Sequence, residues 1–227
     1  MTSASRTARA LLVLPLAAGA LVIAGCGGDD EPATPDASAS SSCEEVPAAE
    51  PKQVKLKPPK ERVSRGEEIT ATVHTNCGDF SFELDTEGSP KTASSFVHLV
   101  EEGVYEGTAF HRVVDGFVIQ GGDPAGDGSG GPGYSVTEEP PPDTAYLRGT
   151  VAMAKTQLEP AGASGSQFFV VTAADAGLPP DYAVLGHLTG GEAAVDAIEA
   201  QADPELGAEG GQPAVPVVIE RITLERS

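Results

Sequence analysis

The chain has no tryptophan, seven phenylalanines, four tyrosines and three cysteines in 227 residues. Three cysteines, none in a Cys-x-x-Cys pair, exclude a disulfide scaffold and give no footing for a structural zinc site. Positive charge is also scarce. Lys and Arg number 14 against 34 Asp and Glu, a net charge of −20. Residues 1–25 hold two bases and no acid, residues 26–66 six bases and eight acids, and residues 67–227 six bases and 26 acids. Six bases spread over that last stretch build no face that displaces counterions from a phosphate backbone, so nucleic-acid binding is excluded. An anionic bilayer would repel the same stretch.

The frames of common catalytic chemistry are missing too. Gly121 to Gly133 is glycine-rich, but no Gly-Lys-Ser/Thr follows it, so it reads as a surface loop and not a P-loop. Ser164-Gly165-Ser166 lacks the Gly-x-Ser-x-Gly frame of a nucleophile elbow. His74, His98, His111 and His187 show no His-Glu-x-x-His spacing, and no acidic pair stands out. Neither a metal nor a cofactor is expected.

No apolar run reaches the roughly 20 residues of a membrane span. Ala10 to Ala24 is an apolar run of fifteen residues broken by Pro15 and Gly19, and it follows Arg6 and Arg9. That pattern is an export signal. It ends Ile23-Ala24-Gly25-Cys26, which resembles the bacterial lipobox. The resemblance implies a signal peptide over residues 1–25 and a lipid on Cys26 that anchors the chain at the outer face of the cell membrane. An ordinary signal peptide with an incidental cysteine is the alternative.

Glycine and proline are abundant instead. Gly (27) and Pro (19) make up a fifth of the chain, against about 12% in ordinary proteins, so it is turn-rich with a modest core. Residues 26–66 open on Cys26, run Gly-Gly-Asp-Asp-Glu-Pro from Gly27 and continue through a Ser/Ala tract and several prolines. They read as a flexible linker, because few of their side chains repay ordering. Cys43 in that linker and Cys77 beyond it are the two cysteines left if Cys26 is lipidated. They can bond to each other in an oxidising compartment, or remain free thiols.

Folding is expected over residues 67–227. Ile69–His74 and Phe80–Leu84 alternate as strands around Asn76-Cys77-Gly78. A helix follows, with Ser89 as N-cap, Pro90 at its first position and Gly103 past its end; Ala93, Phe96, Val97 and Val100 form its core stripe, and His98 faces solvent. Short β-type runs come next at Ala109–Val114, Phe117–Gln120, Thr150–Ala154, Phe168–Thr172 and Ala183–His187. A helix over Glu192–Gln201 and a strand over Val217–Glu225 close the chain. Many short strands and two helices point to a mainly β, closed antiparallel barrel.

One segment stands out, Phe110-His111-Arg112-Val113-Val114-Asp115-Gly116-Phe117-Val118-Ile119-Gln120-Gly121-Gly122-Asp123. It sets a single arginine among apolar residues in a region nearly without bases. Folded as adjacent strands, it can turn Arg112, Phe117 and Gln120 to one face with Val118 at its margin. A buried arginine held by an acid is the plainer reading. Gly165-Ser166-Gln167-Phe168-Phe169-Val170-Val171 again sets aromatic beside amide.

With Ala152-Met153-Ala154-Lys155, Tyr182-Ala183-Val184-Leu185-Gly186 and Ser89-Pro90-Lys91-Thr92, these blocks resemble the cyclophilins, the cyclosporin-binding peptidyl-prolyl cis-trans isomerases, over most of residues 67–225. The resemblance implies a closed eight-stranded antiparallel barrel capped by two helices, monomeric by default, that isomerises X–Pro bonds without a cofactor. It assigns catalysis to Arg112, Phe117 and Gln120. It assigns substrate binding to Val118, Met153, Ala154, Lys155, Gln167, Phe169, Leu178 and Tyr182. The chain also departs from the family. Val118 stands where methionine is usual, Gly177 where Trp or Phe is usual, Lys155 where Asn is common, and Pro179-Pro180 follow Leu178. These departures imply a shallower pocket with weaker cyclosporin binding. The expected partners are proline-containing segments of exported proteins and the membrane. A proline-peptide binding module or chaperone with weak turnover, and a structural envelope lipoprotein, are the rival readings.

Overall fold

The structure, a computed structural model, describes residues 43–227. The apolar run at the N-terminus and the lipobox cysteine, Cys26, lie outside the described residues. In chain order the elements are β1 (Ile69–Thr75), β2 (Gly78–Leu84), α1 (Pro90–Glu101), β3 (Thr108–Val114), β4 (Val118–Asp123), β5 (Val136–Thr137), β6 (Thr150–Met153), β7 (Ala163–Ser164), β8 (Phe168–Val171), β9 (Val184–Gly190), α2 (Glu192–Glu199) and β10 (Val218–Arg226). Eight of the strands close into a barrel in the order β1-β10-β3-β4-β8-β6-β9-β2, every pair antiparallel, and β5 and β7 form a separate two-stranded sheet. Closure leaves the barrel no free edge.

Alternation decides which residues fill it. On β1, Ile69, Ala71 and Val73 are fully buried, and on β2 Phe80, Phe82 and Leu84 are, while the residues between them are half-buried or exposed. Five of the seven phenylalanines (Phe80, Phe82, Phe96, Phe110 and Phe168) share this interior cluster. Phe168 sits edge-on to Phe96, Tyr105 and Phe110, with centroids 5.8 to 6.2 Å apart, the arrangement ring quadrupoles favour. The two remaining phenylalanines, Phe117 and Phe169, belong to a second cluster outside the barrel.

Both helices press one face into the interior cluster, α1 through Ala93, Phe96, Val97 and Leu99, and α2 through Ala194, Val195, Ala197 and Ile198. Leu99 takes the place expected of Val100, which is half-buried at the edge of the stripe. Pro90 opens α1, and Gly103 follows its end with φ +67°. Ser89 precedes the helix without a side-chain capping bond. Among the described residues no helix is long and apolar enough to cross a membrane.

Residues 43–66, expected as the end of a flexible linker, are instead held on the barrel. Cys43 is disulfide-bonded to Cys77, and Cys43, Val54, Leu56 and Val63 pack against the interior cluster. Backbone hydrogen bonds and a covalent tie order this strap, although its composition is poor in core-forming side chains. His98, expected in solvent, is half-covered by it and donates from Nε2 to the Lys57 carbonyl at 3.2 Å.

Candidate active site

The site lies on the outer face of four neighbouring strands. Register places Arg112 on β3 opposite Gln120 on β4, Gln120 opposite Phe169 on β8, and Phe169 opposite Ala152 on β6. Directly paired residues project to the same side of a sheet, so these four side chains form one row. Val118 pairs with Val171 beside it. Val118, Tyr146, Ala152, Phe169, Val171 and Val184 make the buried floor, and Phe117, Ala154, Leu178 and Tyr182 are half-buried around it.

A local irregularity turns Arg112 outward. Phe110 and Val113 both belong to the barrel interior, yet they are three residues apart, which strict alternation forbids. The ladder shifts between them: Phe110 pairs with Gly121 and Arg112 with Gln120, which leaves His111 without an opposite residue. Such a bulge re-aims the residues after it. A second shift falls at Gly122 on β4. Gly122 has φ +79°, and a Cβ there would lie 2.9 Å from the Ser166 carbonyl oxygen, so only glycine fits.

The guanidinium carbon of Arg112 lies 5.9 Å from the centroid of the Phe117 ring, within cation–π range. Burial draws the Arg112 pKa below the ordinary arginine value, and nearby Tyr182 acts the other way. The group remains a cation at neutral pH. Gln120 Nε2 donates to Gln167 Oε1 at 3.1 Å. Gln167 Nε2 donates in turn to the carbonyls of Gly128 and Gly130 at 2.9 and 3.0 Å.

The far wall is aromatic. The Tyr182 ring meets Phe169 edge-on at 5.5 Å and 87°. Lys155 Nζ lies 5.5 Å from the Tyr182 centroid and 2.8 Å from Asp181 Oδ2, its side chain 5% exposed. Leu178 lines the cluster, but Gly177 beside it is exposed, with open space where a side chain would stand. The wall is therefore low on that side.

Of the residues expected in substrate binding, Met153 does not join the others. It is 1% exposed and packs inside the barrel, paired with Phe168. Its neighbours Ala152 and Ala154 project outward, so alternation sends Met153 inward. Sequence reasoning also missed Tyr146, which is fully buried and donates from its hydroxyl to the Tyr182 carbonyl at 2.6 Å. The one signal for it was a bulky ring in a polar, proline-rich stretch. Among the described residues no group of three His, Cys, Asp or Glu could hold a metal ion.

Comparison with known proteins gives this geometry a family. The profile described as "Cyclophilin type peptidyl-prolyl cis-trans isomerase/CLD" matches residues 70–224. Peptidyl-prolyl cis-trans isomerase B of Streptomyces anulatus is 36% identical over 174 residues, covering 70% of this chain and 98% of that protein. A probable peptidyl-prolyl cis-trans isomerase B of Mycobacterium tuberculosis is 34% identical over 212 residues, covering 86% of this chain and 67% of that one. The crystal structure of a Cryptosporidium parvum cyclophilin type peptidyl-prolyl cis-trans isomerase superposes with a TM-score of 0.63 at 31% identity, over 70% of this chain and 99% of that one. The same parasite protein has also been crystallised in the presence of the dipeptide Ala-Pro. A match that takes in both helices, six of the eight barrel strands whole and most of the other two is enough to say that the chain belongs to the cyclophilin-type peptidyl-prolyl cis-trans isomerases.

Proposed function

We propose that this site accelerates rotation about X–Pro bonds in exported proteins, and that the chain does so tethered by a lipid on Cys26 at the outer face of the cell membrane. The observation that carries the catalytic reading is the row Arg112–Gln120–Phe169, a fixed cation, an amide and an apolar ring on adjacent strands. X–Pro rotation breaks amide resonance over a barrier of about 20 kcal/mol and takes tens of seconds unaided. No bond is made or broken, so binding that is stronger in the twisted state is sufficient catalysis.

Phe169, Val118 and Phe117 offer the apolar surface for the proline ring. As the amide twists, its nitrogen pyramidalises and gains a lone pair. An N–H of Arg112 then donates to that lone pair, a hydrogen bond the planar ground state cannot make. Gln120, fixed by its bond to Gln167, is placed to donate to the substrate carbonyl or to orient the arginine. Tyr182 and Leu178 confine the ring from the far side. Each 1.4 kcal/mol gained in the twisted state alone is about tenfold in rate.

The export reading rests on the apolar run from Ala10 to Ala24 and the Ile23-Ala24-Gly25-Cys26 sequence after it. A covalent bond between Cys43 and Cys77 suits an oxidising compartment. Metabolic labelling with a fatty acid tests the anchor: label should enter the parent and be lost from Cys26→Ser, and an unlabelled parent overturns it.

The catalytic reading is tested by cis/trans exchange on an Ala-Pro-Phe peptide with the parent and with Arg112→Ala. Catalysed exchange in the parent that falls by about 100-fold or more in the variant is expected, since the lost interaction belongs to the twisted state. The open position at Gly177 favours a second reading, a proline-peptide binder with little turnover. A folded parent that binds the peptide but exchanges it at the uncatalysed rate would establish that reading instead.

A further inference from the structure

The strap over residues 43–66 is pinned at both ends. The Cys43–Cys77 disulfide ties its start to the β1–β2 hairpin. There the Glu44 N–H donates to the Asn76 carbonyl at 2.8 Å, and Asn76 Nδ2 donates back to the Glu44 carbonyl at 2.7 Å. At the far end the Val63 N–H donates to Ser94 Oγ on α1 at 3.0 Å.

Between these ties the strap grips the glycine-rich loop by both shoulders. The Lys52 N–H donates to the Pro124 carbonyl at 2.8 Å and the Leu56 N–H to the Pro132 carbonyl at 2.7 Å. The Lys52 side chain reaches past the strap to the Glu106 carbonyl at 2.6 Å. Contact is close enough that a Cβ on Gly133 would stand 3.3 Å from the Lys55 Cα.

The opposite side of that loop holds the site. Its Gly128 and Gly130 carbonyls accept both hydrogens of the Gln167 amide, and Gln167 accepts from Gln120 in the Arg112 row. Asp123 steadies the loop from below, accepting from the Ala125 and Gly128 amides at 2.9 and 2.6 Å. Residues 124–133 contain five glycines, the residues that give up the most conformational freedom when ordered. A loop of that composition needs ties beyond its own to keep two carbonyls fixed. Where they go, the Gln167 amide goes.

We propose that the segment from Cys43 to Val63 is a disulfide-locked brace that positions Gln167, and through it Gln120, for the substrate peptide. It acts by holding the glycine-rich loop at Pro124 and Pro132. The strap residues touch no substrate; they are positioning residues for the isomerase site. This inference rests on the isomerase reading of that site.

The test uses the full chain with Leu56→Pro, which deletes the N–H given to Pro132, and Leu56→Ala, which keeps it. Cys43→Ser/Cys77→Ser frees the strap's start and serves as the second variant if Leu56→Pro does not fold. Three quantities are read: amide exchange over residues 125–131, KM and kcat on a proline peptide, and the thermal midpoint. Leu56→Pro and the double serine variant should exchange those loop amides about tenfold faster and raise KM about three- to tenfold with kcat within about twofold. Leu56→Ala should track the parent in loop exchange, KM and kcat while its thermal midpoint falls from the lost side-chain packing. Loop exchange that quickens while KM stays at the parent value overturns the proposal, as does a loop that exchanges no faster. If the parent binds peptide without turning it over, the isomerase reading alone fails. The same variants are then read by peptide Kd, which an effective brace must weaken by the same factor and which an unchanged Kd refutes.

Discussion

The Tyr146 hydroxyl holds the Tyr182 backbone from both sides, donating to its carbonyl at 2.6 Å and accepting from its amide N–H at 2.9 Å. Burial pushes the Tyr146 pKa up, so the hydroxyl keeps the proton it donates. One buried side chain thereby sets where the Tyr182 ring stands against Phe169.

Tyr146→Phe keeps the ring and deletes both bonds. We expect it to cost about 1–3 kcal/mol of stability, the usual effect of leaving buried polar groups without a partner. Peptide KM should rise several-fold while kcat changes little, because Tyr182 confines the substrate and Arg112 is untouched. Urea denaturation beside steady-state kinetics checks both. A kcat loss at unchanged KM would place Tyr146 in the chemical step instead.

The Lys155–Asp181 pair should respond asymmetrically. The Lys155 side chain is 5% exposed and that of Asp181 is 41% exposed. Removing the acid leaves the ammonium of a covered side chain with only the Thr156 and Glu159 carbonyls, each at 3.4 Å, whereas removing the lysine leaves an acid that water can still reach. Asp181→Asn should therefore destabilise more than Lys155→Met, by about 1 kcal/mol once solvent screening of Asp181 is allowed for. The double variant should recover part of the loss. Denaturant midpoints of the four proteins decide it, and equal single effects that simply add would contradict the asymmetry.

Much of this site can be read from the chain because Phe117, Val118, Gln120, Gln167 and Phe169 sit in two distinctive sequence blocks, on or directly before β4 and β8. Met153 shows the limit of block reading: it lies between Ala152 and Ala154 in sequence but on the opposite face of β6. The outward turn of Arg112 was legible only as a possibility. It depends on a bulge at His111, and a bulge leaves no mark in the pattern of apolar residues. The two-residue strands β5 and β7 are too short to show any period. The strap escaped for a different reason. Its order comes from backbone N–H groups and a disulfide, and composition records neither.

His111 predicts a pH dependence of stability. It is 9% exposed on β3, and burial lowers its pKa. Nearby Asp123, the Ala109 backbone and Asp127 act to raise it, and Arg112 acts with burial to lower it. Unfolded, the imidazole titrates near the ordinary value of about 6.5. Between the lowered folded value and 6.5 the unfolded chain binds more protons, so stability rises with pH across that window. Above it the full contribution is present. As pH falls from about 6.5 toward the folded value stability is lost, at most about 1.4 kcal/mol per pH unit from this one group. Below the folded value the loss levels off. His111→Gln fills similar space with a side chain that does not titrate. Thermal or urea midpoints taken from pH 7.5 down to pH 5 should fall more steeply for the parent than for His111→Gln. Carboxylates that begin to protonate near pH 5 act in both proteins and cancel in the difference. Parallel slopes would mean that His111 titrates alike in the folded and unfolded chain, and that its burial on β3 does not exclude the charged form.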